Sequence, residues 1–145
     1  MSRQVHFEIK GSCHCGNIQL VLLWPGVETE MGVRMCGCTF CRKHAAAWTS
    51  HRDAELNVRV VDKSLVSKYQ FGTKTADFHV CSTCGVVPFV LSEIEGKNYA
   101  VVNVNSLHDV DRLLSSRSKT DFDGERIDDK LGRRRRNWIP NVIVD

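Results

Sequence analysis

Three cysteines within six residues carry the clearest chemistry in this sequence. Cys36, Cys38 and Cys41 form a C-x-C-x-x-C pattern, which lets three sulfurs approach one point. Zinc binds cysteine sulfur at about 2.3 Å and prefers four tetrahedral ligands, so three thiolates leave one coordination position for another ligand. An open position is typical of catalytic zinc, whereas four protein ligands are typical of structural zinc. The spacing therefore predicts a metal site whose role depends on the fourth ligand.

The other four cysteines form two widely separated pairs. Cys13 and Cys15 flank a single histidine, and Cys81 and Cys84 form a C-x-x-C that is followed by Gly85. A glycine after such a pair is typical of a zinc knuckle, because it lets backbone N–H groups turn toward the sulfurs. The seven cysteines therefore divide into a closed four-thiolate structural site and a three-thiolate site, with none left over.

Disulfide bonding is the competing interpretation of these cysteines. An odd number cannot pair completely, and the start of the chain, Met1–His6, lacks the apolar run of a signal peptide. Clustered cysteines in a reducing compartment indicate metal binding or catalysis, so we favour metal sites and a cytoplasmic location. A redox C-x-x-C is a weaker alternative, because that motif usually precedes a helix, whereas Val86–Leu91 has the composition of a strand.

The surrounding sequence predicts a domain of short β-strands that would position the thiols. A length of 145 residues with 42% hydrophobic content suits a single domain, residues 1–145, with a core from about 5 to 125. Alternating apolar residues in 3–10 and 56–60, and a turn pattern at Glu95–Asn98, indicate strands and a hairpin. We therefore expect an all-β, mainly antiparallel fold.

Two segments have ambiguous secondary structure. Ala45–Ser50 has propensity for both helix and strand, and we predict a strand because the segment is short and its surroundings are β. Asp109–Leu114 predicts one or two helical turns. Trp48, Tyr69 and Tyr99 occur at strand spacing, which favours core positions over a role in lining a pocket.

Charge and hydropathy constrain the partners only loosely. The formal net charge is +3, and no apolar run approaches the roughly 20 residues of a membrane span. Residues 126–145 form a basic segment that contains Arg133–Arg136 and, close by, Trp138. Such a run can contact phosphates, but it is short and follows the acidic Asp128–Asp129. We therefore expect a solvated tail and no nucleic-acid partner.

Three motifs together resemble a known enzyme family. They are Gly-Ser-Cys-His-Cys-Gly at 11–16, Cys-Gly-Cys-Thr-Phe-Cys-Arg-Lys at 36–43, and Cys-Ser-Thr-Cys-Gly at 81–85. In this order and spacing they are similar to the glutathione-dependent formaldehyde-activating enzyme family, which also includes centromere protein V. The resemblance extends over about residues 5–125, and the sequence departs from it at His44–Ala47, where a glycine-containing segment would be expected.

The resemblance implies a β-tent fold stapled by two zinc ions. It also implies a carbon–sulfur lyase activity that joins glutathione to formaldehyde and gives S-hydroxymethylglutathione. The matching positions for the structural zinc are Cys13, Cys15, Cys81 and Cys84, and those for the catalytic zinc are Cys36, Cys38 and Cys41.

The chemistry of three thiolates independently favours a thiol substrate. With one zinc ion the centre has a formal charge of −1, which makes it a weaker Lewis acid than a three-histidine site and a better partner for a thiol. A metal-bound thiol is deprotonated, and the thiolate is the nucleophilic form. Arg42 and Lys43 follow the last ligand; they would balance the charge, bind the carboxylates of glutathione or face solvent.

A binding module without turnover is the alternative function. In that case a protein group would close the three-thiolate site, and His44 is the best-placed histidine, ahead of His14 and His79. For all three histidines we favour a surface or hydrogen-bonded position over a role in the site. The first hypothesis remains an enzyme that acts on a small thiol and a small aldehyde.

Overall fold

The structure is a computed structural model that describes residues 6–26, 30–110, 114–120, 122 and 124–145. These residues form two β-sheets and two short helices. The strands are β1 (Phe7–Ser12), β2 (Ile18–Trp24), β3 (Met31–Cys36), β4 (Trp48–Thr49), β5 (Glu55–Val60), β6 (Val66–Tyr69), β7 (Asp77–Cys81), β8 (Phe89–Ile94), β9 (Lys97–Asn103), β10 (Leu114–Thr120) and β11 (Asn141–Val144). The helices are α1 (Thr39–His44) and α2 (Ile127–Asn137), and 3₁₀ turns occupy Lys63–Leu65 and Val104–Ser106.

The first sheet has four strands in the order β1-β2-β5-β11. Its strands alternate as a half-buried sheet should: in β2, Ile18, Leu20, Leu22 and Trp24 are buried, while Gln19 is exposed. The buried faces of this sheet contribute to a core that also contains Phe89 and Val102 of the second sheet.

The second sheet has seven strands in the order β10-β3-β4-β9-β8-β7-β6. Most of the neighbouring strands are antiparallel, and β8 and β9 form the hairpin predicted around Glu95–Asn98. The pairs β3–β10 and β5–β11 are parallel. The prediction of a mainly antiparallel β fold is confirmed, with these two parallel pairs as an addition.

Two local predictions need correction. The strand predicted at Ala45–Ser50 is reduced to Trp48–Thr49, because α1 ends only at His44 and Ala45 takes the left-handed conformation that terminates it. The helical turns predicted for Asp109–Leu114 are wrong at the described positions, since Asp109 and Val110 are not helical and Leu114 begins β10. Residues 111–113 lie outside the described residues.

The prediction of a solvated C-terminal tail is wrong. Residues 127–137 form α2, and the residues that follow include β11, which pairs with β5. Trp138 and Ile139 are buried, and Ile139 exchanges backbone hydrogen bonds with Ala100. Burial of these apolar side chains favours packing against β9. This packing holds the helix that contains the arginine run against the rest of the protein. Neither helix is long and apolar enough to cross a bilayer.

Gly11 is required where β1 approaches the 3₁₀ turn at Val104–Ser106. A Cβ atom at Gly11 would lie 2.5 Å from the carbonyl oxygen of Ser106 and 3.1 Å from the Cα of Leu107. Because the obstructing atoms are backbone, we expect Gly11→Ala to destabilise the protein by about 1–3 kcal/mol. Gly32→Ala, on β3, is the control, since no atom of the described part of the chain lies within 4 Å of its added Cβ. Thermal melts that rank the two variants equally would contradict this packing.

Candidate metal centres and an adjoining cavity

The four cysteines that the sequence assigns to a closed metal site lie close together in the structure. Cys13 and Cys15 lie in the turn after β1, Cys81 ends β7 and Cys84 lies in the turn that follows. Their sulfurs lie within 4.8 Å of one another. The Sγ atoms of Cys13 and Cys15 are 3.7 Å apart, and those of Cys15 and Cys81 are 3.5 Å apart. Sulfurs around a tetrahedral zinc ion are separated by about 3.8 Å, so this group fits such an ion.

Backbone turns hold the two cysteine pairs in place. The amide of Gly85 donates a hydrogen bond of 2.8 Å to the carbonyl of Cys81, and Gly85 has a φ of +80°. Glycine reaches this conformation at little cost, which explains its position after the pair. In the other turn the amide of Ile18 donates to the sulfur of Cys13 at 3.3 Å.

The remaining three cysteines form a second group at the junction of β3 and α1. Cys36 ends β3, Cys38 caps the N-terminus of α1 and Cys41 lies within the helix. Their sulfurs also lie within 4.8 Å of one another. The amide of Cys41 donates to the sulfur of Cys38 at 3.4 Å, which is the capping bond of the helix. One short helix therefore brings two of the three sulfurs to the same point.

The surroundings of this group favour a cation among the sulfurs. The hydrogen bond with Cys36 and burial raise the pKa of the Cys41 thiol. Burial is also the main cause that raises the pKa of the Cys38 thiol. Three thiolates so close together, one buried and two half-buried, repel one another unless a positive charge compensates them, and a divalent ion supplies such a charge. The indole N–H of Trp48, 3.3 Å from the sulfur of Cys41, acts in the opposite direction and stabilises the thiolate.

None of the histidines proposed as a fourth ligand joins the three sulfurs. His44 is exposed, its Nδ1 lies 3.1 Å from the carbonyl oxygen of Phe40, and its ring stacks on the Phe40 ring. His79 is buried against Phe89, and His14 is exposed. Within the described ranges, no histidine or carboxylate belongs to either cysteine group.

A cavity of about 270 Å³ adjoins the three-sulfur group, and Cys36, Cys38 and Cys41 form part of its wall. Pockets for small ligands usually measure about 300–1,000 Å³, so this cavity suits a small substrate or part of a larger one. Five aromatic side chains also line it: Trp48, Phe71, Phe78, Phe122 and Trp138. Trp48 is therefore both buried, as the sequence suggested, and part of the cavity wall.

Four cations complete the wall, and the sequence did not identify any of them as site residues. They are Arg34 on β3 and Lys130, Arg133 and Arg134 on α2. Arg42 and Lys43, the predicted compensating cations, are exposed and do not line this cavity. The i, i+3, i+4 spacing of the three cations on α2 places them on one face of a helix. That spacing was the available signal, but it depends on knowing that residues 127–137 are helical.

The family of the chain follows from a comparison with known sequences. The sequence profile described as glutathione-dependent formaldehyde-activating enzyme matches residues 8–121, which include all seven cysteines. The chain belongs to this family. The match ends at residue 121, before α2 begins. The part of the cavity wall that α2 forms therefore lies outside the residues that match the family profile.

One solved structure is similar to this formaldehyde-activating family member. It is a crystal structure of a Rhodobacter sphaeroides protein, determined as a Northeast Structural Genomics target. The sequences are 30% identical, the alignment covers 70% of this chain and 90% of that chain, and the TM-score is 0.48. No curated protein sequence matches the chain.

The hydrogen bond between Trp48 and Cys41 leads to a test of the three-sulfur group. Trp48→Phe retains an aromatic ring but removes the N–H that stabilises the thiolate. Partners that orient a metal ligand contribute about 10–100-fold to metal affinity, so we expect the affinity of the three-sulfur group for added zinc to fall about tenfold. Competition with a chromophoric chelator measures this. Trp24→Phe is the control, because Trp24 is buried on β2 in the other sheet. Equal affinity in Trp48→Phe and wild type would show that the N–H is not needed.

Proposed function

We propose that this protein joins glutathione, or a related small thiol, to formaldehyde or another small aldehyde. The product with formaldehyde is S-hydroxymethylglutathione, and the reverse reaction is a carbon–sulfur lyase reaction. The observation that carries the proposal is the three-sulfur group in a cavity wall, without a fourth donor among the described histidines and carboxylates. Family membership supports the same substrates.

Two zinc ions per chain are the proposed cofactors. Cys13, Cys15, Cys81 and Cys84 would hold a structural ion, and the group of Cys36, Cys38 and Cys41 would hold the second. The second ion supplies acidity that favours the thiolate form of a thiol substrate at neutral pH. These ligands require reduced cysteines, so the proposal includes a reducing compartment such as the cytoplasm.

The cavity residues would bind and orient the two substrates. In the reaction, the thiolate sulfur forms a bond to the carbonyl carbon while the carbonyl π pair moves to oxygen. The proton lost by the thiol ends on that oxygen, so no oxidant or further reactant is needed. Trp48, Phe71 and Phe78 give the cavity an apolar wall, and an apolar wall excludes water and strengthens the polar interactions inside.

Turnover measurements on zinc-loaded protein test the proposal. Glutathione is mixed with formaldehyde and with a panel of other small aldehydes, and the hemithioacetal is followed by NMR exchange spectroscopy. Thiols and formaldehyde react without an enzyme, so the rate without protein is subtracted. We expect exchange above this background with at least one aldehyde. Exchange at the background rate with every aldehyde would refute the enzyme and favour a binding module.

A further inference from the structure

The wall formed by α2 adds a charge preference to the cavity. We infer that this wall binds a carboxylate of the thiol substrate through Lys130 and Arg134. The cavity therefore selects thiols that carry a carboxylate. This inference rests on the proposed function and goes beyond it, because α2 lies outside residues 8–121, which match the family profile.

The charge of the wall is the first observation. Among the described residues that line the cavity, four side chains are cationic and none is a carboxylate. The proposed zinc ion would reduce the charge of the three thiolates at the other part of the wall to −1. Clefts lined by one sign of charge concentrate ligands of the opposite sign, so the wall favours an anionic ligand.

Arg133 does not contribute a free charge to this wall. Its guanidinium forms an ion pair with Glu125, with a distance of 3.0 Å between a terminal nitrogen and Oε1, and its Nε lies 3.2 Å from Oε2. The guanidinium also lies 3.6 Å from the centroid of the Phe122 ring. Arg133 therefore attaches the middle of α2 to the segment that precedes the helix, and the remaining cations of the wall are Arg34, Lys130 and Arg134.

Arg134 is a buried charge whose partners are incomplete. Only 8% of the residue is exposed. One terminal nitrogen donates to the backbone oxygen and hydroxyl of Thr75 and to the hydroxyl of Ser92, at 2.8–3.2 Å. Its Nε, however, is buried without a hydrogen-bond partner, and the described residues offer it no carboxylate. The guanidinium also lies 4.9 Å from the centroid of the Trp138 ring. A buried charge is costly unless it is paired, so a bound anion would stabilise Arg134 further.

Two further groups fit the same ligand. Lys130 is half-buried on the same face of α2, one turn before Arg134. The hydroxyl of Thr120, at the end of β10, also lines the cavity and is buried without a hydrogen-bond partner among the described residues. An ammonium, a guanidinium N–H and a hydroxyl can together donate to both oxygens of a carboxylate.

The thiol is the substrate that carries this carboxylate. Formaldehyde has none, whereas glutathione has two, in addition to the thiol that must reach the sulfur group. Because the cations and the three cysteines line one cavity, a single thiol can contact both. Planar donors such as guanidinium suit a carboxylate particularly well.

A binding experiment that varies the charge of both protein and ligand tests the inference. The probes are S-methylglutathione and its diethyl ester, and binding to the zinc-loaded full-length protein is measured by calorimetry. We expect the ester to bind wild type about tenfold more weakly than the diacid. Lys130→Gln should weaken the diacid about tenfold and leave the ester unchanged. Arg136→Gln is the control, since it removes a charge from an exposed position of the same helix that does not line this cavity.

Three outcomes separate this inference from the proposed function. Equal affinity of wild type for the diacid and the ester would overturn the inference, even if turnover with formaldehyde is observed. A loss in Lys130→Gln that is the same for both ligands would also overturn it, because the effect would not depend on the carboxylate. The expected charge dependence without any turnover would support the carboxylate site and refute the proposed reaction.

Discussion

Replacing Cys81 with serine is expected to lower the melting temperature of the protein by about 15 °C, the shift that corresponds to a loss of roughly 4 kcal/mol in a domain of this size. Cys81 is fully buried at the end of β7, and its sulfur meets that of Cys15, 66 residues earlier in the chain. A metal that joins such distant segments constrains the chain strongly, and its binding free energy contributes directly to folding.

Metal removal provides the matched comparison for this variant. A chelator should lower the melting temperature of wild type toward that of Cys81→Ser and should change the variant much less. Serine at Cys38 should lower the melting temperature by only a few degrees, since Cys38 and Cys41 lie in one local segment. If Cys38→Ser melted as early as Cys81→Ser, the division into structural and catalytic groups would be wrong.

Replacing Cys38 with serine is expected to reduce kcat/KM for glutathione and formaldehyde by more than about a hundredfold. Removal of a residue that only orients a metal ligand costs up to about a hundredfold in metal affinity or activity, and removal of a ligand itself should cost more. The change removes one of the three sulfurs, and serine is a much weaker zinc ligand than cysteine, although its hydroxyl can still cap α1. Retained turnover near the wild-type level would contradict the assigned role.

The metal content distinguishes loss of the ligand from general damage to the fold. Freshly purified, reduced wild type should contain two zinc ions per chain, and Cys38→Ser should retain one. The matched control is Ser82→Ala, which changes a residue between two ligands of the other group without removing a sulfur. It should keep both ions and the wild-type kcat/KM.

The cysteine clusters could be predicted from the sequence because the spacing within each cluster is local. Cys81 and Cys84 share one turn, Cys36, Cys38 and Cys41 share one junction, and a glycine identifies the turn around Cys81. The strands were predictable for the same reason, since a two-residue alternation is a property of neighbouring residues. His44 was a reasonable ligand by spacing alone, but its contact with the Phe40 carbonyl and ring directs it elsewhere.

The cationic wall could not be predicted because it depends on contacts distant in sequence. Arg134 is held by Thr75 and Ser92, which lie 59 and 42 residues earlier. Four consecutive arginines resemble a solvated tail, and only the packing of Trp138 and Ile139 gives the helix a buried side. Most of the stability of such a helix comes from tertiary packing, not from its own propensity.

The central claim is that the three-sulfur group activates a thiol. Calorimetric titration of glutathione into the zinc-loaded protein tests this claim most directly. S-methylglutathione keeps both carboxylates but has no ionisable sulfur. At neutral pH we predict that glutathione binds more tightly than S-methylglutathione and releases about one proton, as measured in buffers of different ionisation enthalpy. Cys38→Ser should abolish both differences. Equal affinity for the two ligands, with no proton released by glutathione, would contradict thiol activation at this site.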